Sequence, residues 1–179
     1  MRILMIVGAL ALSFPTLALA AGDEDSSPPK PTNTTKTCKG VKVWDDDKGR
    51  CVRPKNSSLD QDDLYGAVRE LAYAGRYKDA QGVLLAMADQ QDSRVLTYWG
   101  FTHRKLGRED LSLSYYTQAI AQDPGNLLAR SYMGQGYVEA GQMAQALEQW
   151  QQIRAHGGTG SWAETSLRTA LENGSTYSY

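Results

Sequence analysis

Histidine, cysteine and phenylalanine each occur only twice in this 179-residue chain, and neither sign of charge prevails. The two histidines, His103 and His156, have no cysteine, histidine or carboxylate at zinc-ligand spacing, so no metal centre is expected. His103 falls on a core-facing helical position and is expected to pack. His156 falls at a helix end, where a cation suits the dipole. No nucleophile stands beside a positioned acid-base pair, so no catalytic residue, no enzyme activity and no cofactor are expected. The glycine-rich run Gly157–Ser161 has no following lysine and no preceding strand, which makes it a turn rather than a phosphate loop. A formal net charge of −1 argues against a nucleic-acid partner.

Long apolar runs are also scarce; there is one. Arg2 precedes the stretch Ile3–Leu12, and Ala18-Leu19-Ala20 follows with small residues where a signal peptidase reads. Residues 1–20 therefore read as a signal peptide cleaved after Ala20, with no membrane insertion of what remains and a periplasmic destination. Cleavage removes Arg2 and no acid, leaving 18 basic against 20 acidic residues, a charge of −2. Residues 21–37 carry three prolines and a run of acids with no large apolar side chain, the composition of a flexible linker.

Cys38 and Cys51 are the only cysteines of a chain read as exported, so a disulfide between them is expected. Val41, Val43 and Trp44 supply a β-prone run, Asp45–Gly49 a turn and Arg50–Arg53 a returning strand, giving a stapled β-hairpin over residues 38–55. The triple aspartate lacks the later glutamate of an EF-hand loop, so calcium is not expected. Six lysines and arginines against three aspartates give this segment a charge of +3. The cysteines around Gly-Val-Lys-Val-Trp-Asp resemble small disulfide hairpins that bind chitin-like glycans, although two cysteines fall short of that framework. On that reading Trp44, Lys42 and Arg50 would meet an envelope polymer; the alternative is a structural cap.

From residue 59 onward the pattern is helical. Ser58 with Gln61 has the form of a capping box before Leu64, Ala67, Val68 and Leu71. Leu96, Trp99, Gly100 and His103 share a face, Gly107 breaks it, and Ser112, Tyr116 and Ala119 resume it before Asp123-Pro124. Thirty-four residues later Gly134, Gly141, Ala146 and Trp150 fall in the same places. A fixed period of this size predicts stacked helix pairs, an all-α solenoid over residues 59–173. The repeats span about 61–92, 93–126 and 127–158. A capping helix at 161–173 carries Trp162, Leu167 and Leu171, and a tail occupies 174–179.

Gly100, Gly107, Ser112 with Tyr116, and Pro124 resemble the signature of the tetratricopeptide repeat. The resemblance implies a protein-binding adaptor whose first helices line a concave groove. Carried over by position, that groove would hold Tyr65, Arg69 and Tyr73, then Arg94, Thr97, Phe101, Arg104 and Lys105, then Ser131 and Gln135. Aromatic anchors beside arginines suit a peptide hot spot. Two uses stay open: a peptide of an envelope protein held in the groove, or polymer attachment through the hairpin with the repeats as spacer or oligomerisation surface.

Overall fold

The computed structural model describes residues 27–176. The signal-peptide reading and the aromatic tail Tyr177–Tyr179 lie outside the described residues. The elements run α1 (Asn33–Lys36), β1 (Val43–Asp45), β2 (Arg50–Val52), a 3-10 turn (Pro54–Asn56), α2 (Gln61–Tyr73), α3 (Tyr77–Leu84), α4 (Ser93–Lys105), α5 (Glu109–Gln122), α6 (Leu127–Glu139), α7 (Met143–Ala155) and α8 (Trp162–Asn173). α2 with α3, α4 with α5, and α6 with α7 form three antiparallel pairs, and α8 closes the stack against α6 and α7. The turn of each pair is a left-handed glycine, Gly75, Gly107 and Gly141, at φ of +74°, +71° and +73°. A side chain is disfavoured at that φ, so glycine ends the first helix of every pair in the same way.

Small residues decide how closely the helices approach. A Cβ on Gly100 of α4 would lie 2.5 Å from the Tyr116 ring of α5, and one on Gly134 would lie 2.5 Å from Leu167 of α8. The repeated glycine thus receives a large side chain from the neighbouring helix. Tyr116 and Leu167 are both buried as a result.

Local signals shift the boundaries in two places. The first helix is capped by Asp60 and Asp63, whose side chains take each other's backbone N–H, rather than by Ser58 and Gln61. Gln61 instead accepts a hydrogen bond from the Ala88 amide at 2.8 Å. α3 stops at Leu84, and Gln90 donates to the Leu84 and Met87 carbonyls, absorbing the two residues by which this repeat is shorter. Asn126 and Ser161 cap α6 and α8, accepting from Ala129 N and Glu164 N.

The hairpin forms with Val43 opposite Val52, Trp44 opposite Cys51 and Asp45 opposite Arg50, and Cys38 is bonded to Cys51 at 2.03 Å. It is not a free module. Val43 belongs to the same buried cluster as Leu64, Val68 and Val83, and the Val41 side chain sits directly on Gly82 of α3. Burying one valine contributes about 1.5–3 kcal/mol, enough to hold a two-stranded ribbon that is marginal alone. Arg76, in the turn between α2 and α3, donates to the carbonyls of Cys38 and Gly40 at 2.9 Å each and pairs with Asp79.

The linker expectation is corrected over its last residues. Glu70 of α2, almost fully buried, accepts from Thr32 N at 2.7 Å, Thr32 Oγ1 at 2.6 Å, Thr35 N at 3.0 Å and the Thr35 hydroxyl. Residues 32–37 therefore form a short docked turn of helix. Hydroxyls and backbone amides, not apolar side chains, do the docking, and a hydrophobicity reading passes over them.

The glycine seats yield a paired prediction. Gly100→Ala must displace Tyr116 and should destabilise the protein by about 1–3 kcal/mol. Gly66→Ala, with nothing within 4 Å of the added methyl, should instead stabilise α2 by roughly 0.5–1 kcal/mol. Urea titrations of the two variants against the parent check both signs.

Candidate functional site

The residues expected to line an open groove are instead packed against one another. Tyr65 is 4 % exposed, Tyr73 8 %, Thr97 and Phe101 1 %, and Ser131 and Gln135 0 %. The physical reason is size: rings occupy the positions where an accessible groove needs short polar side chains. Phe101 lies 4.6 Å from the Tyr132 ring, 5.9 Å from Tyr98 and 6.2 Å from Tyr73. Trp162 of α8 comes within 6.2 Å of Tyr73 and 6.3 Å of Tyr132. The Tyr73 and Tyr132 hydroxyls share a 2.8 Å hydrogen bond that links α2 to α6 across the intervening pair. Burial raises the Tyr98 hydroxyl's pKa well above its ordinary value, with the neighbouring tyrosines Tyr65 and Tyr73 adding to the shift.

The polar members of the set also have packing partners. Thr97 Oγ1 donates to Ser93 O and accepts from Asn126 Nδ2. The Ser131 and Ser166 hydroxyls meet at 3.0 Å, and Gln135 Nε2 reaches Ser131 Oγ at 3.3 Å. These contacts fasten α6 to α8 and α4 to the start of α6.

What reaches solvent is the rim. The guanidinium of Arg94 lies 4.8 Å from the Tyr65 ring centroid and that of Arg69 lies 5.8 Å from it, distances suited to cation–π attraction. Arg94 pairs with Asp62 at 3.0 Å and Asp92 at 3.2 Å, and Arg69 donates to the Ser27 carbonyl. Burial works against the charge of Arg94, but its hydrogen bonds to Asp92 and Asp62 outweigh that and hold its pKa above the ordinary arginine value. Asp62 is 81 % exposed, so this ion pair faces water. Lys105 is partly buried 5.9 Å from the Phe101 ring, and desolvation together with Arg104 lowers its pKa against the opposing pull of Glu139. Arg104 is 7 % exposed and lies between α4, α5 and α6.

Of Trp44, Lys42 and Arg50, Lys42 and Arg50 are exposed and Trp44 lines a cleft. That cleft, of about 550 Å³, runs between the hairpin and α2, with Asn33, Lys36, Asp46, Asp62 and Asp63 on its walls. Trp44 Nε1 donates to Asp46 at 2.9 Å, which holds the half-buried ring along the wall. Asp45 closes the turn by accepting from Lys48 N and Nζ, and the Lys48 side-chain bond lowers its pKa, outweighing desolvation.

Sequence reasoning missed Tyr98 and Tyr132, although their spacing of thirty-four residues is the repeat period itself. No sequence signal pointed to Arg76 or Glu70, whose contacts with the N-terminal segment span more than thirty residues. Among the described residues no three His, Cys, Asp or Glu side chains gather as metal ligands, and no helix is long and apolar enough to cross a membrane. No family model, curated protein or solved structure matches the chain.

His103 is packed as expected, 5.4 Å from the Tyr115 ring and 5.8 Å from Trp99, which lie 5.9 Å from each other. Desolvation, then the Arg108 charge, lowers its pKa from the ordinary 6.5. As pH falls the unfolded chain therefore takes up this proton first, so the stabilisation is whole above about pH 6.5 and is lost as pH drops through the lowered value. Between about pH 7.5 and about pH 5.5 the urea midpoint should fall further in the parent protein than in His103→Phe, which keeps the ring stack.

Proposed function

We propose that the chain is a non-catalytic protein-interaction adaptor of the cell envelope, built on repeats of the tetratricopeptide type and exported by the segment at residues 1–20. Three glycine-turned helix pairs in series support the repeat assignment. The Cys38–Cys51 bond fits an oxidising compartment. The observation that carries the partner reading is the solvent-facing rim at Tyr65, where Arg69 and Arg94 lie over one ring and an exposed Asp62 holds Arg94. A partner carboxylate can take the place of Asp62 on Arg94 at little cost, because an exposed ion pair is worth only about 0–1 kcal/mol. The partner is therefore an extended acidic segment laid along the rim, with the buried rings beneath fixing the arginines rather than touching it.

A photo-crosslinking side chain in place of Asp62, used in the native cell, tests this reading. One discrete protein adduct is expected there, lost when Arg69 and Arg94 are both alanine, with none from a control probe at exposed Gln118 on α5. Binding of the partner so identified should weaken by roughly threefold to tenfold in the double variant. Equal labelling at Asp62 and Gln118 would remove the rim from consideration.

A second reading has its own observation, the half-buried Trp44 ring on the wall of a 550 Å³ cleft lined by carboxylates, lysines and an asparagine. An aromatic face with polar groups around it can hold a sugar ring. Deleting the hairpin is a poor test, since Val43 is part of the core. Trp44→Ala is the clean variant: if it cosediments with purified envelope polymer as well as the parent does, attachment through the hairpin is wrong.

A further inference from the structure

Between the C-terminal ends of α4 and α6 and the start of α5 lies a cavity of about 160 Å³, separate from the rim and from the Trp44 cleft. Its innermost cation is Arg104, whose side chain is only 3 % exposed. The guanidinium pairs with Glu139 Oε1 at 3.1 Å, a carboxylate it shares with Lys105 Nζ at 3.9 Å, and makes no hydrogen bond of good geometry through Nε, Nη1 or Nη2. The buried Tyr116 hydroxyl beside it has Arg104 and Ser112 as its polar neighbours without a hydrogen bond of good geometry, and burial pushes its pKa up to about 12, so it stays protonated. One carboxylate oxygen leaves donors of this buried guanidinium over, which marks a place where a further acceptor is expected.

Three features define that acceptor. The 14-residue helix α5 begins at this cavity, and its N-cap, Arg108, makes no side-chain cap, so the first-turn amides add to the pull on an anion. Glu109, Asp110 and Glu139 also face the cavity, and together they repel a dianion while welcoming a hydrogen-bond donor next to a single negative charge. Leu113, Met133 and Tyr137 give the remaining wall an apolar surface. The volume is too large for one water, which occupies about 30 Å³, and too small for a drug-sized ligand, which needs roughly 300–1,000 Å³. Gly136 preserves the space, since a Cβ there would come within 3.2 Å of Arg104 Cδ.

We propose that this cavity binds a carboxylate group borne on one apolar residue with a donor nitrogen beside it, the chemistry shared by a free apolar amino acid and the C-terminal residue of a peptide. The carboxylate lies between the Arg104 guanidinium and the Tyr116 hydroxyl. The nitrogen turns to Glu109, Asp110 or Glu139, and the side chain covers Leu113 and Met133.

The test is titration of the full chain, followed by amide chemical shifts, with leucine, N-acetyl-leucine, the peptide Ala-Ala-Leu and the C-terminal amides of all three. Saturable shifts at Tyr116 and Gly136 are expected with at least one acid, at least about tenfold tighter than with its amide. Saturation by leucine alone assigns the site to a free amino acid; saturation by Ala-Ala-Leu assigns it to a peptide terminus. Arg104→Met should abolish the shifts. If that variant does not fold, Tyr116→Phe decides, because it keeps the ring against Gly100 and should weaken binding by roughly twofold to tenfold. The proposal fails if no acid saturates below roughly 20 mM, if amides bind as well as acids, or if the deciding variant binds like the parent.

Discussion

The fold depends on one aromatic interior. Tyr65, Tyr73, Tyr98, Phe101, Tyr132 and Trp162 come from four different helices, and each ring centroid lies within about 6.3 Å of at least one other. Such contacts are worth about 0.5–1.5 kcal/mol per pair beyond the area they bury. They also change how the stack behaves. In an open solenoid each repeat touches only its neighbours, whereas here Tyr73 of the first pair meets Tyr132 of the third and Trp162 of the closing helix. First and last helices are thus part of one core, and the inner face becomes a filled space with charged groups at its edge.

At the N-terminal end of the stack a different device covers the exposed face. A solenoid end needs a cap because its terminal helix pair would otherwise show an apolar face to water. At the C-terminal end α8 does this by helix packing. At the other end the task falls to a disulfide-closed ribbon, seated by Val41 and Val43 and held by polar contacts that run from α2 and the turn after it: Arg76 to backbone carbonyls, Glu70 to Thr32 and Thr35. The buried carboxylate succeeds because four donors surround it; with fewer, its desolvation would be prohibitive.

The helical pairs and the disulfide were legible from sequence because they follow from local rules: 3.6-residue periodicity, turn glycines and a lone cysteine pair. The accessibility of the inner face was not. Whether Phe101 lines a groove or fills it depends on how far apart α2, α4 and α6 stand, and that distance is set by rings on three helices at once. Carrying the positions of a repeat family onto Tyr65, Thr97 and Gln135 gave no measure of the space between helices, and in the structure all three are buried. Arg104 shows the same limit. Its helical position was read correctly, yet its burial among α5 and α6 depends on Gly136 and Tyr116, which belong to other elements.

The seating of the hairpin has a kinetic consequence. Cys38 is 3 % exposed in the folded protein, beneath a ribbon held on the surface of α3 and by Arg76 from the preceding turn. Both cysteines are made before any residue of that seat, so during synthesis the pair is accessible while its platform does not yet exist. Thiol–disulfide exchange requires a thiolate within reach of the attacking partner. Joining of the two sulfurs therefore belongs to the interval before α2 and α3 close over the ribbon. A chain whose helices assemble first would shelter a reduced Cys38 from any thiol–disulfide exchange partner, and would have to reopen its first helix pair to mature.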